Sequence, residues 1–299
     1  MRRDVHDHRD DRGGRRHRPE HVRLRRAVRA GTTYYTPPIR RIETARGHHY
    51  VDASRQRVPG VTTIIGDGVP KAALINWAAN ATADAAINRW DELAELPPAQ
   101  RLKALQGARY EDKDRAANRG TEVHRFAEDL IHGRPVQAPD EIAGHVEAYA
   151  RFLDEFRVTP VHVEFSIASY RYGYAGTGDL IADLDTTAGP VRALLDLKTN
   201  RSGIYGETAL QLAAYRYADV LITGAQEQPM PEVQACFAIH VRGDGYSLIP
   251  VTAGPDQHRT FLYVQQVAGF TKASRDLVGP PMQPPTLSTF RLVREDRTP

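Results

Sequence analysis

The spacing of apolar side chains changes period near residue 158. Upstream it is helical: Lys71 to Trp90 is Ala-rich, and Asp140 to Arg157 repeats Ile142, Val146, Tyr149, Phe152, Leu153 and Phe156 along one face. Between these segments, Pro97-Pro98 borders a helix at Ala99 to Gln106, and a further helix is predicted from about Asp112 to His132. Downstream the period shortens to two. Val161, Val163, Phe165 and Ile167 alternate with His162, Glu164 and Ser166, which predicts a strand with the first set facing inward. Tyr174 to Leu184 and Val191 to Thr199 read as two more strands, joined by the turn-like segment D-T-T-A-G-P. Glu207 to Thr223 returns to helix, Val233 to Val241 and Tyr246 to Val251 to strand, and Asp256 to Ala273 to helix. Ahead of all these, Thr32 to Val58 predicts a hairpin turning near Arg46-Gly47, followed by a helix with Thr62 or Thr63 as its N-cap. Trp77 and Trp90 are expected in the core.

This order predicts an α/β fold, a central mixed sheet flanked by helices, with an N-terminal helical region. The third strand feeds a crossover helix back to the sheet, which argues against a helical bundle or an all-β fold. One domain is expected over residues 31–275, with hairpin and helices over 31–157 and the sheet core over 158–275. Residues 276–299 are Pro-rich and read as an extended tail or strap.

Charge adds a feature that periodicity does not. Residues 1–30 carry eleven Arg against five Asp or Glu and few apolar side chains, so they are predicted to be a disordered tail. It serves either as an electrostatic arm for nucleic-acid phosphates or as a solvated extension. The formal charge of +3 resides there, so a pI near 9.0 does not imply a basic globular surface. His6, His8, His17, His21, His48 and His49 lack metal-finger spacing. No apolar run approaches the roughly 18 residues needed to span a bilayer, and the first residues lack the apolar stretch of a secretory signal. With a single cysteine, Cys236, the chain is expected to be a soluble cytoplasmic protein with no membrane partner.

The candidate chemistry centres on V-R-A-L-L-D-L-K-T, Val191 to Thr199. On a strand, Asp196 and Lys198 share one face while Leu195 and Leu197 take the other. Asp179 lies in the preceding strand within G-T-G-D, Gly176 to Asp179, so a carboxylate from each strand can converge beside an amine. Upstream, Gly120, His124 and Glu128 fall on one helical face, with Val123, Phe126, Ala127 and Leu130 apolar. Gly120 has no Cβ, which permits another backbone or a substrate to come close. Downstream, Gln211 and Tyr215 share a helical face. Two carboxylates and an imidazole suit Mg²⁺ or Mn²⁺, with coordination positions left for water and phosphate. Phosphodiester cleavage asks for barrier lowering toward the upper end of roughly 8 to 23 kcal/mol, whereas one general base supplies about 3 to 5 kcal/mol. Lys198 alone is therefore insufficient. A cation would polarise the phosphate, leaving Lys198 to orient water or offset transition-state charge.

Taken in order, G-T-E-V-H (Gly120 to His124), Glu164 in V-E-F, G-T-G-D, L-D-L-K-T (Leu195 to Thr199) and Q-L-A-A-Y (Gln211 to Tyr215) resemble the RecB-like exonuclease branch of the PD-(D/E)XK nuclease superfamily. The match covers roughly residues 60–222. The resemblance implies a restriction-endonuclease-like core and a metal-dependent DNA exonuclease of phage or bacterial recombination, repair or DNA turnover. It further implies His124, Asp179 and Asp196 as metal ligands, joined by the Leu197 carbonyl, with Lys198 catalytic. Glu164 would assist, bound directly or one layer out, and Gln211 and Tyr215 would contact the DNA backbone or support the lysine. The helical region from Lys71 to Gln106 resembles the part of phage exonucleases that walls the DNA channel. Gly178 stands where the literal motif has proline. Some relatives hold an iron-sulphur cluster on four cysteines, and a chain with one cysteine has too few ligands for it. An endonuclease of the same fold and a non-catalytic DNA-binding subunit are the alternative readings. A homo-oligomer or a recombination partner protein is compatible with each.

Overall fold

The chain begins with a small antiparallel sheet of β1 (Arg40–Thr44), β2 (Gly47–Val51) and β3 (Arg57–Val58), in which consecutive Tyr50 and Val51 are both buried. The computed structural model describes residues 38–282 apart from 45–46, 71, 201–202 and 225. The expected basic tail and most of the Pro-rich tail lie outside the described residues.

Helix α1 (Val61–Gly68) starts at least two residues earlier than the expected caps allow. Its N-cap is Gly60, without a side-chain bond, and Thr62 and Thr63 lie inside the first turn. Burial of Val61, Ile64 and Ile65 sets where this helix begins, overriding the capping preference. Helices α2 (Ala72–Asn88) and α3 (Trp90–Ala94) follow. Trp90, expected in the core, is 57 % exposed; the five-residue α3 buries Leu93 in its place.

The helices expected at Ala99 to Gln106 and Asp112 to His132 are one element, α4 (Pro98–Ile131). Between them only Gly107 disfavours helix, by about 1 kcal/mol, and no proline intervenes. Pro98 occupies the first turn, and the Arg101 guanidinium donates to the carbonyls of Leu93 and Ala94 at 2.8 Å each and of Leu96 at 3.1 Å. The helix stops where Gly133, at φ +68°, turns its N–H onto the Leu130 carbonyl at 2.9 Å. Helix α5 (Asp140–Glu155) matches its expected apolar stripe.

The remaining elements are β4 (Thr159–Ser169), β5 (Tyr174–Thr186), β6 (Gly189–Lys198), α6 (Glu207–Arg216), β7 (Val220–Thr223), β8 (Gln226–Pro229), β9 (Ala235–Arg242), β10 (Gly245–Pro250) and α7 (Pro255–Ala273). They form a seven-stranded sheet in the order β10-β9-β6-β5-β4-β7-β8, in which β6 and β9 run parallel and the other neighbours antiparallel. The fold is α/β, a mixed sheet flanked by helices. The helix expected to reach Thr223 ends at Arg216, because Val220, Leu221 and Ile222 suit a strand and pair with β4. Asp219 marks the break, its carboxylate accepting the Arg171 N–H at 2.9 Å.

Helices α1, α6 and α7 cover one face of the sheet, packing Ile64, Leu212 and Phe261 against Phe165, Ile167 and Leu194. Helices α4 and α5 cover the other, where Val123, Ile142 and Phe152 meet Leu180, Leu195 and Leu197. All described residues fall in one compact unit, Thr36–Pro299. No helix among them is long and apolar enough to cross a membrane.

Strand β4 departs from the predicted alternation. Phe165 and Ile167 join the first core, but Val163 packs in the second. The pleat breaks at Glu164, whose φ of +47° is the left-handed conformation that side chains other than glycine rarely adopt. Strand β5 switches at the same level. A Cβ on Gly176 would meet the Tyr215 ring at 2.6 Å and one on Gly178 the Phe165 ring at 2.5 Å, both in the first core, whereas Leu180, Ala182 and Leu184 belong to the second. Glu164 and Asp179 sit at the two switch points.

Candidate metal centre

The paired switch brings side chains from three elements together. His124 of α4 presents Nδ1 at 3.6 Å from Asp179 Oδ1 and 4.0 Å from Glu164 Oε1. One ligand atom from each of the three lies within 4.8 Å of the others, and all three residues are half-buried. Gly120, one turn before His124, faces Thr199 just beyond the end of β6, where a Cβ would sit 3.4 Å from the Thr199 hydroxyl, an ordinary contact distance. Asp179 is oriented by the Leu197 N–H, which donates to its Oδ2 at 2.7 Å and leaves Oδ1 toward the imidazole. Gly178 has a physical reason of its own, since any larger residue would strike the Phe165 ring.

Lys198, Asp196, Gln211 and Tyr215 form a second, tightly bonded group. Asp196 is 2 % exposed and lies 2.5 Å from Lys198 Nζ. Gln211 locks the pair, donating Nε2 to Asp196 Oδ1 at 2.8 Å and to the Tyr215 hydroxyl at 3.1 Å while its Oε1 accepts from Lys198 at 3.2 Å. Tyr215 is buried, so of the two roles considered for it, the supporting one fits its position and contact with a DNA backbone does not.

Electrostatics joins the groups. Burial works against a charged His124, but the Asp179 and Glu164 carboxylates outweigh it and hold the imidazole up to about 9. Burial pushes the Asp196 carboxyl above the ordinary range, opposed by Lys198 and reinforced by Asp179. The Lys198 ammonium is disfavoured by burial and restored beyond its usual value by Asp196 and Asp179.

The expected ligand set was His124, Asp179 and Asp196, with Glu164 assisting. The convergent set is His124, Glu164 and Asp179, while Asp196 is committed to Lys198 and Gln211. Metal–ligand bonds of about 2.1 Å separate neighbouring ligand atoms by about 3 Å and opposite ones by about 4.2 Å. The 3.6 and 4.0 Å spacings fall in that range, and one nitrogen with two carboxylates suits a hard-to-borderline divalent cation.

Three neighbours had no assigned role in the sequence reading. Tyr149, expected only as an apolar residue of α5, lines the small cavity shared by His124, Glu164 and Asp179. Burial raises its phenol well above the usual value, and the two carboxylates add to that. Tyr50 bonds the Thr177 hydroxyl at 2.7 Å and His48 Nε2 at 3.0 Å. Thr177 was visible inside G-T-G-D; its partner, more than a hundred residues upstream, carried no local signal.

No protein-family model matches this chain, and no curated protein does. Among solved structures, that of SSO0001 matches at 15 % sequence identity over 56 % of this chain and 72 % of its own length, with a TM-score of 0.24, a level at which no correspondence is drawn.

Proposed function

We propose that the chain is a divalent-metal-dependent deoxyribonuclease, an exonuclease resembling the RecB-like branch of the PD-(D/E)XK superfamily. The observation that carries this reading is the convergence of His124, Glu164 and Asp179 within 4.8 Å beside the Asp196–Lys198 pair. His124, Glu164 and Asp179 would hold Mg²⁺ or Mn²⁺, with the Leu197 carbonyl as a further candidate ligand. Once bound, the cation supplies polarisation of a scissile phosphate and a lowered pKa for water. Lys198 would orient an attacking water or offset charge on the phosphate oxygens, and Asp196 and Gln211 restrict its ammonium to one position. Glu164 favours the same assignment: strained backbone at a residue other than glycine persists where the surroundings enforce it, and it concentrates at working sites.

The test uses end-labelled linear DNA and closed circular DNA, with Mg²⁺ or Mn²⁺ and with chelator, on the wild type and Asp179→Ala. Metal-dependent loss of linear DNA by the wild type alone is the expected result. Cleavage of closed circles would assign an endonuclease. Intact DNA of both forms in either metal would remove the catalytic reading.

A further inference from the structure

The two carboxylates of the open site sit where the sheet is least regular. β4 and β5 pair at Val163 with Leu180 and again at Phe165 with Gly178, but not at Glu164 and Asp179 between them. On the other side of β5, pairing with β6 covers Leu180 to Thr186 and stops short of Asp179. Gly176 to Gly178 is therefore paired along its β4 edge alone. Two of its three residues are glycines, which the Tyr215 and Phe165 rings require and which leave the backbone least restricted. The stretch leading into Asp179 has little in its own geometry to hold it in place.

A tyrosine from the small sheet holds it. The Thr177 hydroxyl, between the two glycines, lies 2.7 Å from the Tyr50 phenol oxygen. Tyr50 is 4 % exposed, packs with Ile39, Ala168, Ala175 and Ile222, and has Gly60 against its ring edge, where a Cβ would stand at 3.4 Å. Its oxygen also meets His48 Nε2 at 3.0 Å, so the one phenol proton goes to one partner and the oxygen accepts from the other. The main chain adds a second tie two residues before Thr177, where the Ala175 N–H donates to the Pro59 carbonyl at 3.1 Å. Burial pushes the Tyr50 phenol up to about 12, with the Glu164 carboxylate near enough to add to the effect, so the phenol keeps its proton at neutral pH.

We infer that Tyr50, acting through the Thr177 hydroxyl, is a positioning residue of the metal centre: it fixes the chain leading into Asp179 so that this carboxylate meets His124 and Glu164. The inference rests on the metal-dependent reading proposed above and deepens it, making the β1–β3 sheet a working part of the site. The Leu197 N–H sets one oxygen of Asp179, and Thr177 sets the main chain two residues before it. Removing a partner that orients a metal ligand costs about 10- to 100-fold in metal affinity.

The experiment titrates Mn²⁺ into the full chain and follows cleavage of end-labelled linear DNA. It compares wild type, Tyr50→Phe, Thr177→Val, Thr177→Ser and the double variant Tyr50→Phe/Thr177→Val. Each of Tyr50→Phe and Thr177→Val is expected to weaken Mn²⁺ binding about 10- to 100-fold and to lower kcat with KM for DNA unchanged. Thr177→Ser, which keeps the hydroxyl, should recover most of the affinity. The double variant should bind no more weakly than the weaker single one, since both substitutions remove the same bond. Unchanged Mn²⁺ binding in both single variants, a Thr177→Ser as weak as Thr177→Val, or a double variant whose loss is the product of the two single losses would overturn the inference. Circular dichroism at the titration temperature establishes that each variant is folded, and should Tyr50→Phe not be, the Val and Ser variants of Thr177 carry the comparison alone. A wild type that binds Mn²⁺ and cuts no DNA removes the nuclease reading and leaves the positioning role to be decided by the Mn²⁺ titration. A wild type that binds no Mn²⁺ removes both.

Discussion

The two charged groups beside β5 are made of similar residues and are arranged differently. His124, Glu164 and Asp179 are half-buried, and His124 Nδ1 lies 3.6 and 4.0 Å from the Asp179 and Glu164 carboxylates, beyond hydrogen-bond distance, while the other Asp179 oxygen accepts the Leu197 N–H. Asp196, Lys198, Gln211 and Tyr215 are joined by contacts of 2.5 to 3.2 Å, and Asp196 has almost no exposure. The first arrangement is one that a ligand completes. The second is bonded within itself around one ammonium, with Asp196 Oδ2 held by its charge contact to Lys198 and without a hydrogen bond. Asp179 touches both, through His124 on one side and the charge of Asp196 on the other.

Removing the shared residue is the most damaging way to test that contrast. Asp179→Ala is expected to lower cleavage of end-labelled DNA by more than about 10³-fold and to abolish Mn²⁺ binding measured by titration, with circular dichroism unchanged. Within the closed group, Lys198→Ala strands a buried carboxylate and should cost about 3 kcal/mol or more in urea unfolding. The pair Asp196→Asn with Lys198→Met should recover most of that stability and none of the activity; recovery of activity as well would assign the pair a purely structural role. In the open group, Glu164→Gly separates stability from function. It should gain about 1 kcal/mol by relieving the left-handed backbone while weakening Mn²⁺ binding about 10- to 100-fold, and a loss in both would contradict the comparison. The smallest effect is expected of Tyr215→Phe, about 1 kcal/mol of stability from one hydrogen bond, with cleavage within a few-fold of wild type.

Much of this architecture was legible because period and burial agree. β5, β6, α5 and α7 lie within a few residues of their predicted bounds, since each buries one stripe or face of regular spacing. The departures occur where a distant partner overrides a local preference. β7 is a strand because β4 offers an unpaired edge, and Trp90 is exposed while Leu93 is the residue that α3 buries. In the site, strand parity correctly set Asp196 with Lys198, and helical spacing set Gln211 with Tyr215. What parity could not foresee was its own failure at Glu164: an alternating V-H-V-E-F-S-I gives no sign of a left-handed residue in its middle. That one torsion turns Glu164 toward His124 and so decides which carboxylate joins the open group.

The sheet order also governs when the site can come into being. β4, β5 and β6 pair with their sequence neighbours and can form as a meander once residue 198 has been synthesised. Both outer edges of that meander stay bare until β7 closes one and β9, about forty residues beyond β6, closes the other. During that interval the strands bearing Glu164 and Asp196, β4 and β6, are an open template for pairing with other chains. Folding should accordingly be slow relative to a helical protein of this length, and substitutions that weaken Val220–Thr223 should reduce the yield of refolding, measured by light scattering, more than they reduce final stability.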